Sequence, residues 1–177
     1  SSRYSRRSES EYRKVAEYIR EVVLSKSGNY MIFFPSYQYM EQVEYAVEDM
    51  DFPADLLVQG QGMKEQERHE KPRDHSLAAF CVMGGVFSEG IDLKKERLIG
   101  AVIVGTGLPM VCVEQEVLRG YFEEKEEEGF DFAYQYPGMN KVLQAAGRVI
   151  RTTEDEGIIL LLDDRFLKKE YLELFPR

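Results

Sequence analysis

Residues 30–36, YMIFFPS, join an uninterrupted apolar run to a proline and a serine. A continuous apolar run, unlike an alternating one, is typical of a strand buried on both faces, as in a parallel sheet. Pro35 cannot donate to a strand ladder and Ser36 is a favoured helix N-cap, so the strand is predicted to end here and a helix to begin. This strand-to-helix unit is the building block of an α/β fold.

The pattern of an apolar run followed by a helical stretch is repeated along the chain. Further apolar runs lie at residues 56–58, 77–83, 98–104 and 158–162. Helix-spaced apolar stripes follow Ser8, which forms a capping box with Glu11, and Ser36; other helical stretches are predicted at residues 114–127, 140–151 and 166–174. Strands that alternate with helices predict a doubly wound, mostly parallel α/β sheet with its functional loops at the carboxyl ends of the strands.

Composition narrows the class of protein. The 177 residues are enough for one domain, 44% of them are hydrophobic, no apolar run is long enough to span a bilayer, and no signal peptide is expected in residues 1–7 and those that follow. Cys81 and Cys112 each lie in an apolar run and are expected to be reduced core residues. His69 and His75 fall in the polar stretch 59–76, which is interpreted as an exposed helix and loop and not as a metal site.

Charge sets a further limit. The formal net charge is −9, which argues against a surface built throughout for nucleic acid but leaves room for a local basic groove. Much of the negative charge lies in residues 41–55 and in the run 123–128, EEKEEE, both interpreted as solvated helix faces.

Residues 144–151, QAAGRVIR, carry the strongest functional pattern. At about 100° per residue, Gln144, Arg148 and Arg151 share one stripe of a helix whose opposite side is apolar. Two guanidinium groups aimed the same way suit bidentate contact with phosphate oxygens. An ordinary amphipathic helix with a basic exposed face is the alternative.

Three other segments come directly after predicted strands. Residues 33–36, FFPS, predict either an anion cradle at a helix N-terminus or a plain strand-to-helix turn. Residues 84–93, GGVFSEGIDL, combine paired glycines with Ser88, Glu89 and Asp92 in a turn closed by Gly90, but lack the lysine and hydroxyl of a Walker A element. Residues 105–109, GTGLP, have two glycines for close backbone approach and a proline to turn the chain.

Taken in order, FFPSY, GGVFSEGIDL, GTGLP, YPGMNKVLQAAGRVIR and DEGIILLLDDRF resemble the second RecA-like motor domain of superfamily 2 DNA helicases, in the XPD/DinG-like branch. The resemblance covers nearly the whole chain. It implies a RecA-like, mostly parallel sheet with helices on both faces. It also implies that residues 1–177 are one C-terminal motor domain excised from a longer chain.

The resemblance implies roles for particular residues. Arg151 is expected to be the arginine finger on the γ-phosphate of ATP, with Arg148 and Gln144 beside it. The expected nucleotide-binding residues are Glu89, Gly90 and Asp92; the expected contacts to single-stranded DNA are Ser36, Tyr37 and Ser88. Three further residues are expected to shape the region around the finger without reacting: Asp155, Asp163 and Arg165.

The departures from the family pattern also carry expectations. No GxxxxGK[ST] segment, DEAH-like box or four-cysteine set occurs in these residues. ATP and Mg²⁺ are therefore expected to be held mostly by an upstream first RecA-like domain, and an iron-sulphur cluster, if present, by the parent chain and not by this one. The isolated domain is expected to be inactive, and the location to be cytoplasmic, at the nucleoid in a bacterium.

Two alternatives remain at this point. A stand-alone binding module would keep the fold without any ATPase activity. A small-molecule α/β enzyme would use Glu89 and Asp92 as an acid/base pair, which leaves the stripe of Gln144, Arg148 and Arg151 without a role.

Overall fold

A computed structural model describes residues 7–60, 76–84, 98–150 and 156–176. Within these ranges the sheet has five strands in the order β2-β3-β1-β4-β5, and every neighbouring pair is parallel. Their bounds are Asn29–Phe34 (β1), Asp55–Val58 (β2), Leu77–Val82 (β3), Leu98–Val104 (β4) and Ile158–Leu162 (β5). All five predicted strands are confirmed to within one residue at each end.

The first two helices begin where their capping serines predict. Helix α1 spans Glu9–Ser25, and the Ser8 hydroxyl accepts from the Glu11 amide at 3.3 Å. Helix α2 spans Tyr37–Glu48, and the Ser36 hydroxyl accepts from the Tyr39 amide at 3.2 Å. Each cap satisfies one of the amides that a helix N-terminus leaves without an intrahelical partner.

The remaining helices differ more from their predicted bounds. Helix α3 spans Val113–Glu123. A π-helical turn at Asp131–Gln135 leads directly into helix α4, Tyr136–Ala146. The terminal stretch is not one helix but a 3₁₀ turn, Asp164–Leu167, followed by the single-turn helix α5, Lys169–Leu172.

Helix α4 ends earlier than the apolar pattern indicates. The pattern continues to Arg151, but the helix stops at Ala146 with Gly147 as its C-cap. Glycine carries the largest backbone-entropy cost of any residue other than proline in a helix, and beyond it the Arg148 amide donates to the Ala145 carbonyl in a tighter turn, at 3.2 Å. Val149 is then buried against Gly157, where an added Cβ would lie 2.3 Å from a Val149 methyl group. Tertiary packing therefore redirects the chain before a further helical turn can form.

Helices cover both faces of the sheet. Alternate residues of β1 point to opposite faces, so Tyr30, Ile32 and Phe34 pack with α1 and α2, whereas Met31 and Phe33 join a second core under α4 and α5. The helices of this two-sided sandwich are the reason that the strands read as continuous apolar runs. None of the helices within the described ranges is long and apolar enough to cross a membrane.

Two predictions about exposure are wrong. Cys112 is exposed, because the apolar run that contains it lies on the surface, whereas Cys81 is buried as predicted. Gln59 and Ser76, the ends of the stretch interpreted as exposed, are buried. Their side chains hydrogen-bond backbone amides at the ends of interior strands. The Gln59 side-chain carbonyl oxygen accepts from the Val82 amide at 2.7 Å, at the end of β3, and the Ser76 hydroxyl accepts from the Gly28 amide at 3.1 Å, directly before β1. The two histidines of that stretch lie outside the described residues.

The half-buried Glu44 on α2 gives the fold a pH dependence. Burial, followed by the charges of Glu48 and Glu41, raises the pKa of its carboxyl group. Its ionised form therefore costs stability at neutral pH, and the cost is relieved as the pH falls through the raised folded-state pKa and is gone below the unfolded-state pKa of about 4.3. We expect Glu44→Gln to raise the midpoint of thermal unfolding at pH 7, followed by circular dichroism, and to change it little at about pH 3.5. An equal shift at both pH values would show that the carboxylate charge is not the cause.

Candidate functional site

The sheet order defines a crevice at the carboxyl ends of its central strands. From β1 the chain continues to β2 at one edge of the sheet, and from β4 it continues to β5 at the other edge, while β1 and β4 are neighbours. Ligands of open α/β sheets bind outside such a switch point. The segments after β1, β3 and β4, which were singled out for their glycine, serine and proline residues, all leave the sheet at this edge.

A partly open pocket lies beside the crevice, between the ends of β1 and β3 and helix α4. Its volume is about 250 Å³, and its lining comprises Phe33, Met83, Gly84, Lys141, Gln144, Ala145, Gly147 and Arg148. The described lining contains two cationic side chains and one amide but no carboxylate, although the chain as a whole has a net charge of −9. Such a pocket attracts an anion with oxygens that can accept several hydrogen bonds.

Gln144 and Arg148 therefore meet at one pocket even though the helix ends between them. Arg148 also acts on the buried Cys81 below it: burial raises the pKa of that thiol to about 12, and the charge of Arg148 opposes the rise. A protonated, buried thiol is chemically inert, so Cys81 serves packing and not catalysis.

Lys141 is a site residue that the sequence reasoning missed. It lies three residues before Gln144 and seven before Arg148, the spacing of one helix face, so the pattern that selected the other two could have found it. Its side chain crosses Gly84, where a Cβ would lie 3.5 Å from the Lys141 Cε atom, and Gly84 has a φ of +73°. That distance is ordinary van der Waals contact, so it is the positive φ of Gly84, and not the space beside Lys141, that favours glycine at this position.

Ser36 and Tyr37 stand at the other side of the crevice, after β1. The Ser36 hydroxyl oxygen is engaged in capping α2, and the Tyr37 ring is half-buried against the core shared with α1 and α2. The interpretation of residues 33–36 as a strand-to-helix turn is confirmed. Their use as an anion cradle stays a prediction.

The segment after β4 packs backbone to backbone against the first turn of α4. A Cβ on Gly107, whose φ is +66°, would lie 2.7 Å from the Gly138 carbonyl oxygen, and one on Gly138 would lie 2.6 Å from the Thr106 carbonyl oxygen. The close approach expected of the GTGLP glycines is confirmed for Gly107, and the backbone that approaches belongs to the YPG segment. This contact fixes the position of the helix that carries Lys141, Gln144 and Arg148.

Asp163 and Arg165 form a buried ion pair where β5 leaves the sheet. The Arg165 Nε and Nη2 atoms donate to the two carboxylate oxygens at 2.7 and 3.1 Å, and the Arg165 amide donates to the same carboxylate at 3.0 Å. With its carboxylate engaged in this way, Asp163 organises the turn after β5. Asp155 lies outside the described residues.

Comparison with known proteins identifies the family. The family model described as the helicase C-terminal domain matches residues 19–177. The chain belongs to this helicase family. Helicase C-terminal domains are named for their place in longer proteins, and this one spans about a third or less of the length of the relatives that it matches.

Two relatives illustrate the range of the match to this helicase C-terminal domain. The ATP-dependent DNA helicase XPD of Sulfolobus acidocaldarius is 26% identical over 174 residues, which cover 93% of this chain and 30% of that protein. The 3'-5' exonuclease DinG of Staphylococcus saprophyticus is 24% identical over 164 residues, which cover 92% of this chain and 18% of that protein. Among solved structures, an XPD helicase superposes with a TM-score of 0.75 at 22% identity over 97% of this chain and 31% of its own. The RecA-like fold is thereby confirmed.

Several of the predicted site residues of the helicase C-terminal domain cannot be placed. Arg151, Ser88, Glu89, Gly90 and Asp92 lie outside the described residues. Their assignments rest on the sequence motifs alone. No group of three or more His, Cys, Asp or Glu side chains within the described ranges could hold a metal ion.

The backbone contact between Gly107 and Gly138 predicts a destabilised variant. Gly138→Ala places a methyl group against the Thr106 carbonyl, a backbone atom that cannot rotate away, so we expect the free energy of unfolding in urea to fall by about 1–3 kcal/mol. Gly120→Ala is the matched control, because no described atom lies within 4 Å of its added methyl group. Helix α3 should gain up to about 1 kcal/mol from that change. Equal effects of the two substitutions would contradict the contact.

Proposed function

We propose that this chain is the second motor domain of an ATP-dependent DNA helicase. ATP would bind between it and a first RecA-like domain of the same polypeptide, and single-stranded DNA would cross the edge formed by the strand ends. The observation that supports this best is the pocket that gathers Lys141, Gln144 and Arg148 beside the ends of β1 and β3, whose described lining contains no carboxylate. In a chain with a net charge of −9, a local excess of cations beside the switch point suits a polyphosphate.

The proposed mechanism relies on charge stabilisation across the domain gap. Arg151 would contact the γ-phosphate as an arginine finger, with Arg148 and Gln144 alongside. The transferred phosphoryl group spreads negative charge over its oxygens in the transition state, and a guanidinium group there is worth about 10³ to 10⁵ in rate. This domain would contribute the finger, while the phosphate cradle and the Mg²⁺ ligands would come from the first domain.

The residues after β3 would connect the nucleotide to the DNA. Glu89, Gly90 and Asp92 are proposed to lie near the nucleotide, and Ser88 near the DNA backbone. On the other side of the crevice, Ser36 and Tyr37 would meet the single strand, with the tyrosine ring as a stacking face. Closure of the gap around ATP would then move these loops along the strand.

The test is ATP hydrolysis by the full natural polypeptide, with and without single-stranded DNA. We expect turnover that DNA stimulates, and no measurable turnover by the 177-residue chain alone, because hydrolysis needs the cradle and the metal as well as the finger. Turnover by the 177-residue chain at the rate of the full polypeptide would contradict the proposal that a first domain supplies the phosphate cradle and the Mg²⁺ ligands.

A stand-alone binding module with a RecA-like fold is the second candidate. The likeness of the chain to only part of its relatives supports the motor-domain proposal, whereas a full natural polypeptide that ends near residues 1 and 177 would favour the module. If the full polypeptide binds single-stranded DNA but never hydrolyses ATP, the module replaces the motor.

A further inference from the structure

Helix α3 exposes most of its apolar side chains to solvent. None of its residues is buried, and Val113, Val117 and Tyr121 are 76, 67 and 51% exposed. These three residues follow one another at intervals of four, so they form a single line along the helix, here called the outer stripe. Met110 and Val111, just before the helix, are also exposed and extend the apolar surface. An isolated helix of this length is marginal in water, so one that presents such a stripe gains from a partner.

The opposite side of α3 is the side that packs on its own domain. The Phe122 ring stacks on Phe132 with their centroids 4.3 Å apart, and the Tyr134 hydroxyl hydrogen-bonds the Glu116 carboxylate. This hydrogen bond, followed by burial, raises the pKa of Tyr134 to about 12. At about 100° per residue, the half-buried Gln115 and Arg119 lie roughly 200° around the helix from Val117, so the outer stripe points away from the domain.

Acidic side chains lie beside the outer stripe: the exposed Glu114 is three residues before Val117, the exposed Glu124 is three residues after Tyr121, and residues 126–128 follow the helix. Residues 114–131 contain eight Asp or Glu and two Lys or Arg. Of the two cations, Arg119 is held by Glu116 and Glu123, and the Lys125 ammonium lies 4.2 Å from the centre of the Tyr121 ring. The surface is therefore apolar along the outer stripe and mostly negative at the margin formed by Glu114, Glu124 and residues 126–128, here called the rim.

This combination of charge and apolar area selects the occupant. DNA and an anionic membrane are both repelled by the rim, and a second copy of the chain would bring two acidic rims together. A helix with one apolar face and lysines or arginines along its flanks matches both features. A charged rim accelerates the association of separate molecules, because it attracts an oppositely charged partner before contact. A surface that is always covered by its own polypeptide would gain nothing from this acceleration.

We infer that the outer stripe of α3 is a docking surface for a basic amphipathic helix of another protein. The apolar stripe supplies most of the binding free energy, and the acidic rim supplies orientation and a fast approach. Because the surface is acidic, it serves protein recruitment and lies outside the path proposed for DNA. This inference does not depend on the proposed ATPase function.

The experiment uses the full natural chain and a fluorescent synthetic helix of about 20 residues, with leucines spaced by three and four and lysines along the flanks. We expect binding by fluorescence anisotropy at about 10 µM or tighter, weakening as salt is raised from about 0.05 to 0.5 M. A second peptide with glutamates in place of the lysines should bind at least about tenfold more weakly.

Matched variants assign the binding to the stripe. Val117→Asp should lower the affinity by at least about tenfold, whereas Tyr18→Asp, a similar change at an exposed aromatic residue of α1, should leave it unchanged. Val117→Ser, with less risk to folding, should weaken binding in the same direction. Equal binding by the basic and acidic peptides, or by the Val117 and Tyr18 variants, overturns the inference.

Labelling of Cys112 distinguishes a partner that is a separate protein from one that is part of the same polypeptide. It is exposed immediately before α3, so maleimide should label it in the full natural chain, and the basic peptide should slow that labelling at least about fivefold. If Cys112 is already protected in the full chain without peptide, the surface is covered by the same polypeptide. That outcome excludes a separate partner.

Discussion

Arg151→Ala in the full natural polypeptide is expected to abolish nearly all DNA-stimulated ATP turnover, with a loss of at least about 10² and up to about 10⁵ in rate. The reason is that a finger acts on charge that develops only in the transition state, so its removal lowers kcat and leaves nucleotide binding largely intact. Turnover should be measured with saturating single-stranded DNA, together with nucleotide affinity in a binding assay.

Two matched variants make the Arg151 result specific. Arg13→Ala removes an exposed arginine of α1 that pairs only loosely with Glu17, at 3.8 Å, and should leave turnover unchanged. Arg148→Ala removes a cation from the pocket and should reduce turnover and nucleotide affinity together, because Arg148 lies where bound phosphate is proposed. If Arg151→Ala turns over ATP like the unsubstituted protein, Arg151 is not the finger and the assignment of the QAAGRVIR segment at residues 144–151 fails.

Asp163→Ala is expected to cause the largest loss of stability of any single substitution considered, about 3–5 kcal/mol in the free energy of unfolding. The Asp163 side chain is fully buried at the end of β5 and accepts three hydrogen bonds from Arg165. Burial by itself disfavours the charge on the Arg165 guanidinium, but the hydrogen bonds and charge of Asp163 outweigh it and raise the pKa of Arg165. Removal of the carboxylate would take these hydrogen bonds and this charge away from the half-buried Arg165 guanidinium.

The measurement for Asp163 is urea unfolding of the variants. Lys169→Ala is the control, because it breaks an exposed pair with Glu173, at 3.6 Å, and should cost less than about 1 kcal/mol. Asp163→Asn keeps a side-chain acceptor for the Arg165 amide but not the charge. Its loss in the free energy of unfolding should lie between those of Asp163→Ala and Lys169→Ala. A loss below 1 kcal/mol for Asp163→Ala would mean that the pair is not a structural element of the turn after β5.

The strands and the first two helices could be predicted closely from the sequence. The central strands β1, β3 and β4 are buried on both faces, so their apolar runs have no polar interruptions, and Pro35, which cannot donate to a ladder, marks the end of β1. Ser8 and Ser36 mark helix starts because a hydroxyl satisfies an amide that lacks an intrahelical partner. These signals are local, so tertiary structure is not required to interpret them.

The candidate site was only partly predictable. Gln144 and Arg148 were found through their shared helical stripe, but Lys141 was missed, because its role depends on Gly84 lying beneath it from a different strand. The end of α4 at Ala146 was also missed, because Val149 packs against Gly157, the residue directly before β5, and helical periodicity does not encode that contact. Contacts of this kind leave no periodic trace in the sequence.

By itself, the sequence determined the class of fold, the order of the elements and the positions of the motifs at strand ends, because burial pattern, capping and turn chemistry are encoded locally. Only the tertiary structure decided which motifs meet. It brought the end of β3 under Lys141, seated the glycines after β4 against α4, and turned the apolar side of α3 outward. Each of these depends on backbones approaching across long separations in the chain, where the available space and the packing partner, and not residue type, determine the outcome.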